Sequence, residues 1–177
     1  MIYFGKAFYV SLLHANDALN LNKLLVTNTE LFKRYLPKTI AVNKTLQDTQ
    51  LYIADRTKSI QNKKDFTFTL KDCCTNAIAG LIILKDINWE EQKAEFAYCL
   101  GQQFQGRGWM GEAVTAVSNH AFNVLDLKTL QIIIHKSNPK SIGVAENSGF
   151  LWKKTLKNEF TPINESPLDM ELYELTA

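Results

Sequence analysis

The chain has 177 residues, of which 21% are charged, with a formal net charge of +2. That length suits one domain able to bury roughly 70% of its unfolded surface, and the near-balanced charge argues against a nucleic-acid or anionic-membrane partner. Three cysteines, two of them adjacent (Cys73, Cys74 and Cys99), are too few and wrongly spaced for a disulfide framework or a metal centre.

Taken in order, Ala7–Leu13 reads as a first strand. A helix capped near Asn16 follows, with Ala18, Leu21, Leu24 and Leu25 on one face. Thr29 reads as the cap of a short helix ending before Pro37, and Thr45 with Asp48 as the capping pair of a longer helix through about Gln61. Strands are expected over Phe66–Leu70, Ala77–Leu84 and Ala94–Leu100. A glycine-rich turn then opens a helix over Gly106–Val124, about 28 Å long, with Met110, Ala113, Val114, Val117, Ala121 and Val124 at apolar spacing. Leu130–Ile134 reads as a strand, and Asn138-Pro139 as a cap with proline at the first helical position of a helix stopping near Gly149. Phe150–Leu156 and Leu168–Leu175 close the chain as strands. The order predicts a single α/β (α+β) domain over residues 1–177, with helices on both faces of a mixed sheet. No segment has the unbroken apolar length of a membrane span, and the N-terminus lacks the charged and apolar regions of a signal peptide, so a cytoplasmic protein is expected.

The turn Gln103-Phe-Gln-Gly-Arg-Gly-Trp-Met-Gly111 carries the chemistry. Glycines let backbone N–H groups approach a ligand, and a helix N-terminus adds partial positive charge, which together suit a phosphate. Gly106, Gly108 and Gly111 match the dinucleotide fingerprint literally. Five residues, however, separate Leu100 from Gly106, and the next strand runs into His135-Lys136-Ser137 with no carboxylate for a ribose. A third reading makes these glycines packing and turn residues only. His14, His120 and His135 lack ligand spacing, so no metal is expected.

Gln103-x-x-Gly106-x-Gly108 resembles the acyl-CoA pyrophosphate loop of the GCN5-related N-acetyltransferase (GNAT) superfamily. Lys93-Ala-Glu-Phe-Ala-Tyr-Cys-Leu100, Asn138-Pro-Lys-Ser141 and Ala145-Glu-Asn-Ser-Gly-Phe150 are similar to its RimJ/RimL branch, the ribosomal-protein N-terminal acetyltransferases. Tyr35-Leu-Pro37 and Lys157-Asn-Glu-Phe160 resemble that branch more weakly. The resemblance implies a mostly antiparallel sheet of about seven strands, with a splayed strand pair holding acetyl-CoA. It implies coenzyme contacts from Leu100, Phe104, Gln105, Gly106, Arg107, Gly108, Trp109, Met110, Gly111, Asn138 and Ser141. Asn138 also reads as a plain helix cap, and Arg107 as a solvated turn residue. The bulk of Phe104 and Trp109 departs from the pattern expected around such a loop.

By the same resemblance Ser141 faces the coenzyme sulfur and helps protonate the departing thiolate, while Glu159 or Glu95 takes the proton of the amine. For Glu95 a cross-strand ion pair is the competing reading. An α-amine is easier to neutralise than a lysine, by roughly 3.4 kcal/mol, so one carboxylate acting through water suffices for an N-terminal acceptor. The implied acceptor is a protein α-amine, as on a ribosomal protein. Polyamines, aminoglycosides and amino acids stay open, as does a non-catalytic acyl-CoA-binding module. Acceptor determinants are expected in the helices around residues 16–61 and in the loop Thr161–Pro167, and the C-terminal strands offer a surface for a second copy. Cys99 could be acylated, but its strand position favours a buried, inert thiol.

Overall fold

The computed structural model describes residues 1–163 and 165–177, so Asn164, within the expected acceptor loop, lies outside the described residues. Strands β1 (Tyr3–Phe4), β2 (Phe8–Leu12), β3 (Phe66–Asp72), β4 (Ile78–Asn88), β5 (Lys93–Leu100), β6 (Thr129–Ile134), β7 (Leu151–Phe160) and β8 (Leu168–Thr176) form one eight-stranded sheet in the order β1-β2-β3-β4-β5-β6-β8-β7. The one parallel pair among the registers described is β5 with β6. The expected sheet is present, with the two-residue β1 as an added edge.

Two compact units can be described. The first comprises Met1–Ile83 and Tyr98–Trp109. It holds helices α1 (Ala18–Thr27), α2 (Thr29–Phe32), α3 (Pro37–Ala41) and α4 (Leu46–Gln61). Its core gathers Leu13, Leu21, Leu24, Leu25, Phe32, Ile53, Ile78, Leu81 and Cys99. Each large side chain buried there contributes about 1.5–3 kcal/mol. Thr45 and Asp48 cap α4 reciprocally, as the sequence suggests: Thr45 Oγ1 accepts from the Asp48 amide at 3.1 Å, and the Asp48 carboxylate accepts from the Thr45 amide at 2.9 Å.

Two caps differ from expectation. His14, rather than Asn16, caps the 3₁₀ turn Ala15–Asp17 that leads into α1, its ring accepting from the Asn16 amide while Asp17 bonds back to the His14 amide. Thr29 is the first residue of α2, not its cap; its hydroxyl donates backward to Leu25 O and Val26 O, and Asn28 takes the junction.

The second unit comprises Leu84–Ala97 and Met110–Ala177. Here α5 (Trp109–Asn123) buries Met110, Ala113, Val114, Val117 and Ala121. Val124, expected on the apolar face, lies past the helix end and is exposed. The β5–β6 register runs from Lys93↔Thr129 to Phe96↔Ile132 and stops there. Both strands continue, β5 to Leu100 and β6 to Ile134, with Ile133 and Ile134 still paired to β8. The parallel pairing thus ends while both strands run on. Helix α6 (Pro139–Asn147) follows β6. The hairpin β7–β8 shifts register between Leu156 and Phe160, so β7 carries extra residues there.

Candidate active site

The glycine turn leaves β5 through Gly101 and a 3₁₀ turn, Gln102–Phe104, before α5 begins at Trp109. The helix starts three residues later than its sequence suggests. Gly106 and Gly108 adopt φ of +77° and +76°, outside the helical region, so no helical turn can include them. Nothing lies within 4 Å of where a Cβ on either would stand. The glycines therefore serve backbone conformation and leave open space beside the loop. Among the described residues, the amides of Gly106, Arg107, Gly108 and Trp109 have no protein acceptor. Such a run of donors at the start of a 15-residue helix is chemically suited to an anion.

The two bulky residues hold the loop from beneath. Phe104 and Trp109 are 8% and 6% exposed, with ring centroids 5.5 Å apart, and Trp109 stacks in turn on Phe8 at 5.2 Å. Arg107 lies over both loop rings, at 5.7 and 5.4 Å, and donates to Gln103 O at 3.0 Å. It is folded onto its own loop rather than free in solvent. The Gln105 side-chain amide donates to Leu100 O at 3.2 Å, so it ties the loop to the end of β5. Met110 is buried in the α5 core, and Gly111 O accepts from Ser148 Oγ at 3.2 Å and Thr115 Oγ1 at 3.1 Å. For Phe104, Trp109 and Met110, only the main chain is left to face a ligand.

In the second unit, Asn138 caps α6, its Oδ1 accepting from the Ser141 amide at 3.2 Å. This is the helix-cap reading of Asn138, and it places Ser141, half-buried, in the first turn. Glu95 pairs with Lys85 across β4 and β5 at 2.7 Å, and Lys85 also reaches Asp86 at 2.6 Å. Burial pushes the Glu95 carboxyl above the usual glutamate range. Lys85 pulls it back only in part, and the charges of Asp86 and Glu159 add to the rise. For Lys85, burial works against the ammonium, but hydrogen bonds to Asp86 and Glu95 outweigh it and raise its pKa.

Glu159 is exposed and sits where β7 changes register. Its neighbour Asn158 has φ +54°, and Asp169 grips this irregularity twice, accepting from Lys157 Nζ at 2.6 Å and from the Asn158 amide at 3.1 Å. Extra residues in a strand re-aim side chains, and this one turns Glu159 out of the ladder. The two candidate bases thus lie within electrostatic reach of each other.

Cys99 is buried, and burial pushes its thiol up to about 12, a backbone hydrogen bond to Leu81 offsetting this only slightly. A thiol so seldom ionised is a poor nucleophile. Mass spectrometry after incubation with acetyl-CoA is expected to find Cys99 unmodified; a stable acetyl adduct there would replace direct transfer with an acyl-enzyme. Among the described residues, no cluster of three or more His, Cys, Asp or Glu side chains could hold a metal ion.

The family model of the acetyltransferase (GNAT) domain matches residues 9–151. The chain belongs to the GNAT family. Spermidine N(1)-acetyltransferase of Escherichia coli K12 is 31% identical over 103 residues, 58% of this chain and 54% of that protein. Ribosomal-protein-serine acetyltransferase of the same organism is 31% identical over 97 residues, 54% of this chain and 53% of that protein. The chain spans about half the length of these curated relatives. The solved structure of RimL, a ribosomal L7/L12 α-N-protein acetyltransferase in complex with coenzyme A, superposes with a TM-score of 0.88 at 19% identity. It covers 99% of this chain and 97% of that one, a likeness of fold.

In this GNAT chain, sequence reasoning missed two supports of the site and the partner in a third. The cross-strand ion pair given as one reading of Glu95 is present, and its partner Lys85 is fixed only by strand register. Asp169 pins the segment carrying Glu159, a feature that the Lys157-Asn158 pair hints at, since asparagine tolerates the left-handed region. Asn28, buried at the end of α1, accepts from the Gln102 amide at 2.9 Å across 74 positions of sequence.

Proposed function

We propose that this chain is a single-domain acetyltransferase that moves the acetyl group of acetyl-CoA to a primary amine, with a protein N-terminal α-amine as acceptor. The row of acceptorless amides from Gly106 to Trp109 at the head of α5 carries this reading, because it fits a diphosphate. The amine nitrogen attacks the thioester carbonyl carbon, and the C–S bond of the tetrahedral intermediate breaks. The amine proton passes to Glu159, directly or through water, and the leaving thiolate takes a proton from the Ser141 hydroxyl, which is reprotonated through water by the proton that Glu159 releases. Glu95, held by Lys85, orients or polarises the acceptor. With three free thiols, the enzyme would work in a reducing cytoplasm.

The spermidine relative raises a polyamine acceptor as the second reading. A polycation needs carboxylates to meet it, and residues 16–61 carry seven Lys and Arg against four Asp and Glu. All four acids are engaged: Asp17 with Lys71, Glu30 with Lys33, Asp55 with Arg56, and Asp48 in the α4 cap. This favours an acceptor that brings its own negative charge or none. Thiol release from acetyl-CoA, followed against N-terminal peptides, spermidine and free amino acids, tests the assignment. Turnover on peptides above the others is expected. Preference for spermidine would transfer the acceptor assignment, and CoA binding without turnover on any amine would leave a binding module.

A further inference from the structure

We infer that Asn28 is the positioning residue of the coenzyme loop, an inference that rests on the acetyl-CoA reading above. Asn28 is 5% exposed, and its side-chain amide is used at both ends. Nδ2 donates to Leu24 O at 2.8 Å, inside the last turn of α1, and Oδ1 accepts from the Gln102 amide at 2.9 Å, the first residue of the turn leading into the loop. Its main chain is engaged as well: the amide donates to Leu24 O at 3.1 Å, and the carbonyl accepts from Phe32 N at 3.0 Å. One residue therefore closes α1, opens α2 and fixes where the loop begins.

The consequence runs forward along the loop through short contacts. Gly101 lies so close to α1 that a Cβ there would stand 2.9 Å from Leu24 Cδ1. Gly101 O accepts from the Phe104 amide at 2.9 Å, Gln102 O from the Gln105 amide at 3.3 Å, and Gln103 O from Arg107. At its far end the loop is held by Trp109 against Phe8. Between these clamps sit Gly106 and Gly108, the residues with the most backbone freedom in the loop. If the clamp at Asn28 opens, the 3₁₀ turn loses its origin and the amides of Gly106–Trp109 are no longer held in one arrangement. Affinity for a diphosphate depends on that hold, because donors fixed beforehand need no ordering when the ligand arrives.

Only a carboxamide meets both demands. An aspartate accepts from Gln102 but sets a carboxylate against Leu24 O, and an alanine leaves the Gln102 amide without its acceptor and Leu24 O with the main-chain amide of residue 28 alone. Either loss is of the size expected for an unsatisfied partly buried group, corresponding to about 5- to 100-fold in affinity.

The test is calorimetric titration of CoA into wild type, Asn28→Ala, Asn28→Asp and Ile53→Ala, each shown to be folded by circular dichroism at 10 °C. Ile53→Ala lowers stability from the same core without touching the loop, so it measures what a merely structural defect does. Expected are CoA dissociation constants raised about 5-fold or more in both Asn28 variants, with Ile53→Ala near wild type despite an equal or larger fall in Tm. Asn28 variants within twofold of wild type overturn the inference and leave the acetyl-CoA reading standing. Equal weakening in Ile53→Ala, or failure of both Asn28 variants to fold, reduces Asn28 to a structural residue and also overturns it. A wild-type protein that binds no CoA removes the acetyl-CoA reading and this inference together.

Discussion

A Gly106→Val, Gly108→Val double variant is expected to lose CoA binding by about 30- to 1000-fold while keeping its far-ultraviolet circular dichroism. Both glycines sit near φ +77°, where an L residue costs about 1–2 kcal/mol and a β-branched one more. No atom within 4 Å would resist the new Cβ atoms, so the penalty falls on the backbone itself. The loop relaxes by rotating toward negative φ, and rotation turns its amides away from the position a diphosphate occupies. Two such penalties, about 2–4 kcal/mol together, appear in the dissociation constant at about tenfold per 1.4 kcal/mol. Titration calorimetry reads this directly. Affinity within twofold of wild type would mean that these glycines serve the turn alone, and that the coenzyme is held elsewhere.

The second large effect concerns proton transfer. Glu159→Gln and Ser141→Ala are each expected to lower kcat by about 10²-fold or more, with CoA affinity nearly unchanged, since general acid–base groups contribute about 10²–10⁴-fold. Glu95→Gln separates the two carboxylates through the pH profile. A base must be deprotonated to act, so the rate falls as pH drops through its pKa. Burial raises the Glu95 carboxyl above the ordinary glutamate range, so an acid limb in that raised region, abolished by Glu95→Gln and retained in Glu159→Gln, would make Glu95 the base. The expected result differs: Glu159→Gln lowers kcat across the whole pH range, and Glu95→Gln mainly raises KM. Unchanged rates in both Ser141→Ala and Glu159→Gln would discard the catalytic assignment and leave the fold intact.

What the sequence exposes and what it hides divides along contact range. The caps at Thr45–Asp48 and Asn138-Pro139 are local signals, three residues wide, and the structure uses both. The glycine turn is legible for the same reason, because positive φ leaves its mark on the residues that adopt it. Its exact exit into α5 is not: reading the helix from Gly106 treats the glycines as helix formers, whereas their φ values forbid that until Trp109. The bulk of Phe104 and Trp109 looked out of place from sequence. Packed on Phe8 from β2, nearly a hundred positions earlier, it is the loop's floor. Lys85 with Glu95 and Asn28 with Gln102 depend on strand register and helix placement, which no single segment encodes. Glu159 was legible as a residue type in a motif, but its presentation depends on a shift in the β7–β8 ladder.

The aromatic floor has an optical consequence. Of the three tryptophans, Trp89 and Trp152 are 41% and 55% exposed, whereas Trp109 is 6% exposed beneath an arginine at the mouth of the helix. A polar quencher such as iodide would silence the first two and leave a blue-shifted emission from Trp109 alone. The protein thus carries an unlabelled fluorophore at the loop, and any anion that draws the guanidinium off its ring would announce itself in the spectrum.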